Sequence, residues 1–167
     1  MTVQKKRKPS RTEQRRAARQ LTLQALYQWQ VSGNAMHEVE AHIRAAVPDD
    51  GLESHEDITE ALKVADLAYF HELAKNIPVS QQELDAGFAP FLDRRVEELD
   101  PIELALLRLG SYELTRRLDV PYRVVINEAV ELAKRFGGTD SHKYINSILD
   151  KLALRVRAVE VQARRSS

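Results

Sequence analysis

The chain contains no cysteine. That absence removes thiolate nucleophiles, Cys-ligated zinc and disulfide frameworks together. Chain breakers are scarce, with six glycines and six prolines in 167 residues, and aromatic residues make up only 6%. No apolar run approaches the roughly 18 residues of a membrane-spanning helix, and no signal-peptide pattern is visible. Membrane and secreted readings therefore fall away, and the expected compartment is the cytoplasm. What remains is helix-forming material. Twenty leucines and nineteen alanines supply nearly a quarter of the chain, and both are strong helix formers. A hydrophobic content of 43% with 30% charged residues describes a globular chain, not a disordered one. At this length, folding can remove roughly 70% of the unfolded surface from water, enough for one domain without staples.

Formal net charge is zero, but the zero hides an asymmetry. Residues 1–19 carry eight basic residues against Glu13, a net of +7. Residues 151–167 carry five against Glu160, a net of +4, while 20–150 hold twelve basic and twenty-three acidic residues, a net of −11. A basic arm on an acidic body suits polyanion binding, and it equally suits a solubilising tail.

Residues 1–9 lack apolar periodicity and read as a basic arm ending at Pro9. Ser10 and Glu13 have capping-box spacing and start a helix from about Arg11 to Val31, ended by Gly33-Asn34. A second helix runs from Met36 to before Pro48, and the acidic stretch 48–57 reads as a loop. Ile58, Leu62, Ala65, Tyr69, Leu73 and Ile77 keep helical spacing up to Pro78, and Ser80 can cap a shorter helix to about Phe91. Asp100-Pro101-Ile102-Glu103 places an N-cap, an N1 proline and an N3 carboxylate in order. The next helix runs from about Tyr122 to Gly137-Gly138. The last is capped by Asp140 or Ser141 and buries Ile145, Ile148, Leu149, Leu152 and Val156. No run alternates long enough for a strand. The expectation is an all-α fold of about seven helices spanning 10–157, in two subdomains of about 10–78 and 79–157, with a tail at 158–167.

Two clusters carry candidate chemistry. On the first helix, Arg15, Arg16 and Arg19 fall within an arc of about 100°, on the side of Leu23, Leu26 and Tyr27. One stripe thus changes from basic to apolar, as if the first turns project past the core and offer guanidinium forks to an anion such as single-stranded RNA. A frayed, solvated first turn is the alternative. The second cluster is Asp140-Ser141-His142-Lys143-Tyr144, where a helix start, a cation and an aromatic face coincide. A cap beside a core tyrosine explains it as well.

Several stretches together resemble the NusB family. They are Arg15-Arg16-Ala17-Ala18-Arg19, Gln24-Ala25-Leu26-Tyr27-Gln28-Trp29-Gln30, Glu103-Leu104-Ala105-Leu106-Leu107-Arg108 and Tyr112-Glu113-Leu114. The run from Asp119 to Ala129 continues the match, followed by Glu131 to Gly137, Asp140 to Asn146 and Leu149-Asp150-Lys151. The resemblance covers most of 15–153; residues 36–99 match loosely, and Ser147 stands where a small residue, most often Gly, is expected after Asn146. It implies two three-helix subdomains and a non-enzymatic transcription antitermination factor. Such a factor binds boxA RNA together with NusE, a small-subunit ribosomal protein. It promotes read-through by RNA polymerase within an antitermination complex, chiefly on ribosomal RNA operons. The family's RNA-binding residues fall on Arg15, Arg16 and Arg19, and on Asp140, Lys143 and Tyr144. The NusE-facing surface includes Glu103, which a capping-box role explains equally. No cofactor or metal is implied, and whether the free protein forms a homodimer stays open, as does a non-specific basic RNA-binding or helical adaptor role.

Rival classes find less support. His37 and His42 are five residues apart, not the four that place two ligands on one helix face, and the other histidines are scattered. NusB-like domains also occur fused to an RNA cytosine methyltransferase. Here 167 residues leave no room for a cofactor-binding domain, and the cysteine nucleophile is missing. A DNA-reading helix-turn-helix would use 101–116 and 122–136, but the second helix is acidic at Glu128 and Glu131 and would repel phosphate.

Overall fold

The computed structural model describes residues 7–46 and 52–166. The start of the expected arm, Val47 at the end of the expected second helix, residues 48–51 of the expected loop and Ser167 of the expected tail lie outside them. Among the described residues the chain forms nine α-helices and no strand, in the expected all-α class. They are α1 (Arg11–Ser32), α2 (Met36–Arg44), α3 (His55–Val64), α4 (Leu67–Val79), α5 (Gln81–Phe88), α6 (Pro101–Arg116), α7 (Tyr122–Phe136), α8 (Ser141–Val156) and α9 (Ala158–Ser166). Two short 3-10 turns follow α5.

Local chemistry sets most of the ends. Ser10 accepts the Glu13 N–H at 3.1 Å to open α1, and Gly33, at φ 75°, closes it in the left-handed region that suits glycine. Asp100 accepts from the N–H groups of both Ile102 and Glu103 at 2.9 Å, as its position before Pro101 implies. Gly137 ends α7 for a steric reason. Its backbone is extended, and a Cβ there would lie 2.7 Å from the Ala133 carbonyl and 2.9 Å from Ser141 Cβ.

Two helices exceed the expected seven. The periodic stretch 58–77 breaks at Ala65, where Asp66 caps α4 by accepting the Tyr69 N–H at 3.0 Å and donates its own N–H to the Gln14 carbonyl of α1. Residues 158–166, expected as a tail, form α9 because Val161 enters the core. α1 lies against α2, α3, α4 and α6, while α6, α7 and α8 pack on one another and α5 packs on α6. One continuous apolar cluster fills the space between them. Arg108 ties this frame together, forking onto Asp85 of α5 at 2.8 and 2.9 Å and reaching Gln30 of α1 at 3.1 Å.

α6 and α8 meet at Gly110, where a Cβ would stand 2.7 and 2.9 Å from the two δ-methyls of fully buried Leu149. Gly110→Ala is therefore expected to cost about 1–2 kcal/mol, overpacking outweighing the gain in helix propensity. Urea denaturation checks it through a lowered midpoint.

Glu53 is buried beside α1, with its N–H on Gln24 at 3.1 Å. Both carboxylate oxygens are buried without a hydrogen-bond partner, and this burial pushes the carboxyl up to about 7, against the Arg135 charge, which pulls it down. Because the folded value lies above the unfolded one, the protonated carboxyl favours the fold below about pH 4.5, and that contribution fades as pH rises through 7. Glu53→Gln is expected to gain about 2 kcal/mol relative to the parent between pH 5 and pH 8. Melting both proteins at the two pH values measures it.

Candidate functional site

The three α1 arginines have different fates. Arg19 is only 3% exposed, and its Nε and Nη2 fork onto the two carboxylate oxygens of Glu113, each at 2.8 Å. Burial opposes its charge, but the Glu113 hydrogen bonds and carboxylate win, so its pKa is raised. The Tyr69 hydroxyl donates to the same carboxylate, and burial followed by that carboxylate raises the phenol's pKa. Arg15 lies over the Tyr69 ring at 4.6 Å and approaches Asp119 at 3.6 Å, while Arg117 covers the same ring at 5.0 Å. Arg16 alone is well exposed, at 58%, and it forks onto Glu128 of α7 at 3.0–3.3 Å. That hydrogen-bonded pair raises the Arg16 pKa.

The expectation of three forks projecting together is thus corrected. The arginines do share one side of α1, but that side turns toward α6 and Tyr69 of α4, with Glu128 of α7 reached only by the Arg16 side chain. Arg19 and most of Arg15 were drawn inward by carboxylates far along the chain. Glu128, expected to repel phosphate, is instead paired with Arg16.

The second cluster does come together. Asp140, Lys143, Tyr144 and Glu103 line one open depression of about 640 Å³ with Arg94, where the starts of α6 and α8 meet. None of the α1 arginines lines it. Tyr144 is held from two sides. Its hydroxyl donates to Asp93 at 2.7 Å, and the Arg94 guanidinium sits 4.6 Å from its ring centroid. Arg94 and then Tyr144 pull the Asp93 carboxyl down to about 2, while burial and the bond to Asp93 raise the Tyr144 phenol.

Asp140 precedes α8 but its side chain caps nothing; it pairs with exposed Lys143 at 3.5 Å. Ser141 is buried and donates its hydroxyl to Glu103 at 3.0 Å. Glu103 therefore links the starts of α6 and α8, where a capping box would have turned it back on its own helix. Asp93 and Arg94 escaped the sequence reading. They lie in an irregular segment, and only the doubled Arg94-Arg95 hinted at a cationic surface.

Among the described residues no group of histidines and carboxylates could hold a metal ion, and no helix is long and apolar enough to cross a membrane. The fold and these contacts define an all-α protein with buried ion pairs between its helices and, where the starts of α6 and α8 meet, an open depression that bears Arg94, Lys143 and the ring of Tyr144. The chain belongs to the NusB family, whose model matches residues 16–154. It is 57% identical over 153 residues to the transcription antitermination protein NusB of Chromohalobacter salexigens, covering 92% of each chain. It is also 52% identical to that of Marinomonas sp., covering 98% of this chain and 87% of the relative. A solved structure of T. maritima NusB shares the fold with a TM-score of 0.65 and 24% identity, over 87% of this chain and 92% of that one. The family is thus one of transcription antitermination proteins.

Proposed function

We propose that this chain is the RNA-binding adaptor of a cytoplasmic antitermination complex. It binds boxA RNA together with NusE and promotes read-through by RNA polymerase, chiefly on ribosomal RNA operons. The observation that carries the reading is the rim at the start of α8. There Lys143, Arg94 and the oriented ring of Tyr144 offer charge and a stacking face around one depression, in a chain of this family. Cations attract the strand without regard to sequence, while a fixed aromatic face and neighbouring polar groups discriminate unstacked bases. NusE then adds contacts to the same strand, with Glu103 at the protein–protein boundary. Arg16 is the α1 arginine that reaches RNA, by exchanging Glu128 for phosphate, whereas Arg15 and Arg19 support the helix that carries it.

Two variants test this with little risk to the fold. Asp140→Asn removes a negative charge from the rim and frees Lys143. RNA affinity is expected to rise about two- to fivefold, with stability nearly unchanged because the side chain makes no cap. Arg16→Ala is expected to weaken binding and flatten the salt dependence by about 0.7–1 in slope. Fluorescence anisotropy of labelled boxA RNA across a salt series measures both. Weaker binding by Asp140→Asn would place that carboxylate on a base donor instead, and an unchanged slope would remove Arg16 from the interface.

A further inference from the structure

The helix α9 lies beyond residues 16–154, the span matched by the family model. It is nonetheless firmly built in. Arg157, just before it, is buried and donates to the carbonyls of Leu114, Glu113 and Arg117 at 2.7–3.2 Å, satisfying the open end of α6. Its remaining nitrogen pairs with Glu160 at 2.6 Å, and Glu160 in turn accepts the Tyr122 N–H at 3.0 Å. Val161 seats the next turn in the core.

This anchoring has an electrostatic consequence. It carries Arg164 and Arg165 over the start of α7, where they join Arg123, Tyr122 and Asp150 around an open depression of about 500 Å³. Among the residues that line it, three carry guanidiniums and one a carboxylate. Tyr122 is buried, so its ring offers bases no stacking surface. The depression can therefore take phosphates but has little with which to tell bases apart.

The depression is also in line with the rim. Lys143 and Asp150 are seven residues apart on α8, two turns on the same face and on the order of 10 Å along the axis. Between Lys143 and Asp150 the exposed positions of α8 are the polar Asn146 and Ser147, with no carboxylate before Asp150 itself.

We infer that Arg123, Arg164 and Arg165 form a second RNA site, which holds backbone phosphates of the strand flanking the segment read at Tyr144. The inference rests on the RNA-binding reading above and assigns this end of the molecule a sequence-independent role. A short RNA fills the rim alone; a longer strand follows the face of α8 and gains the arginines.

The test compares labelled boxA RNA with the same RNA extended on both sides by oligouridine, using the intact protein and Arg164→Gln/Arg165→Gln. The expected result is about three- to tenfold tighter binding of the extended RNA by the parent. The double variant should lose that gain, and its salt slope on the extended RNA should fall by about 1.4, the value for two single-strand phosphates. Short-RNA affinity should not change. Arg165→Gln alone, at the exposed end of α9, repeats the test should the double variant lose helix content by circular dichroism, with half the change in slope expected. If both RNAs bind and the extension gain survives the substitutions, the second site is wrong and the rim stands. If the parent binds neither RNA, the RNA-binding reading falls and this inference with it.

Discussion

Arg19→Met is expected to lower the stability of the fold by about 3–5 kcal/mol, the range for breaking a buried ion pair from one side. Arg19 and Glu113 are 3% and 1% exposed, and their two parallel hydrogen bonds join α1 to α6 across ninety-four positions of sequence. Methionine approximates the arginine stem in volume but leaves the Glu113 carboxylate facing Tyr69 as its one remaining close donor. The penalty is the desolvation of a charge that has lost its partner, and it exceeds what the pair contributes net. The double variant Arg19→Met/Glu113→Leu should therefore recover part of the loss, since no buried charge lacks a partner, the remainder being the cost of the Tyr69 hydroxyl that loses its acceptor. Urea midpoints of the parent, both single variants and the double variant give the coupling directly. Equal stability of Arg19→Met and the parent would mean that the pair is open to water. An Arg19 variant that binds RNA poorly is expected to do so because α1 has loosened, so Arg16 is the informative arginine for RNA contact.

The second large effect concerns Tyr144. Its hydroxyl is tied to Asp93 and its ring lies beside Arg94, so the ring is oriented before any ligand arrives. Preorganisation lets stacking appear as affinity without an ordering cost. Tyr144→Ala is expected to lose about 1–3 kcal/mol of RNA binding, roughly 5- to 150-fold in Kd. Tyr144→Phe keeps the ring and gives up only the bond to Asp93, so it should stay within about threefold of the parent, a loss set by one exposed hydrogen bond. Titrations of boxA RNA with the three proteins separate the cases. Matching losses in both variants would transfer the role from the ring to the hydroxyl.

The start of α6 and both ends of α7 were legible because the sequence spells them locally, through Asp100 before Pro101, Pro121 before Tyr122 and Gly137 after Phe136. The break at Ala65-Asp66 was not legible. Apolar spacing runs through it without a fault, and the Asp66 N–H that helps fix it is satisfied by Gln14, fifty-two positions earlier. α9 was hidden for a related reason: its polar composition looks like a tail, and its anchors are Arg157 and Val161, whose partners belong to other helices. The candidate site divides in the same way. Asp140, Lys143 and Tyr144 are neighbours in sequence and stay neighbours in space. The arginines of α1 could be placed on one face, but where each fork ends depends on Glu113, Asp119 and Glu128, which helical periodicity on α1 cannot reveal.

The most direct test of the central claim is the anisotropy of labelled boxA RNA titrated with this protein alone and premixed with NusE, beside a scrambled RNA, at two salt concentrations. A preference for boxA that sharpens when NusE is present is expected, with a salt dependence that Arg16→Ala reduces. Equal, salt-sensitive binding of both RNAs, unmoved by NusE, would contradict it and leave a basic helical protein that holds RNA without reading it.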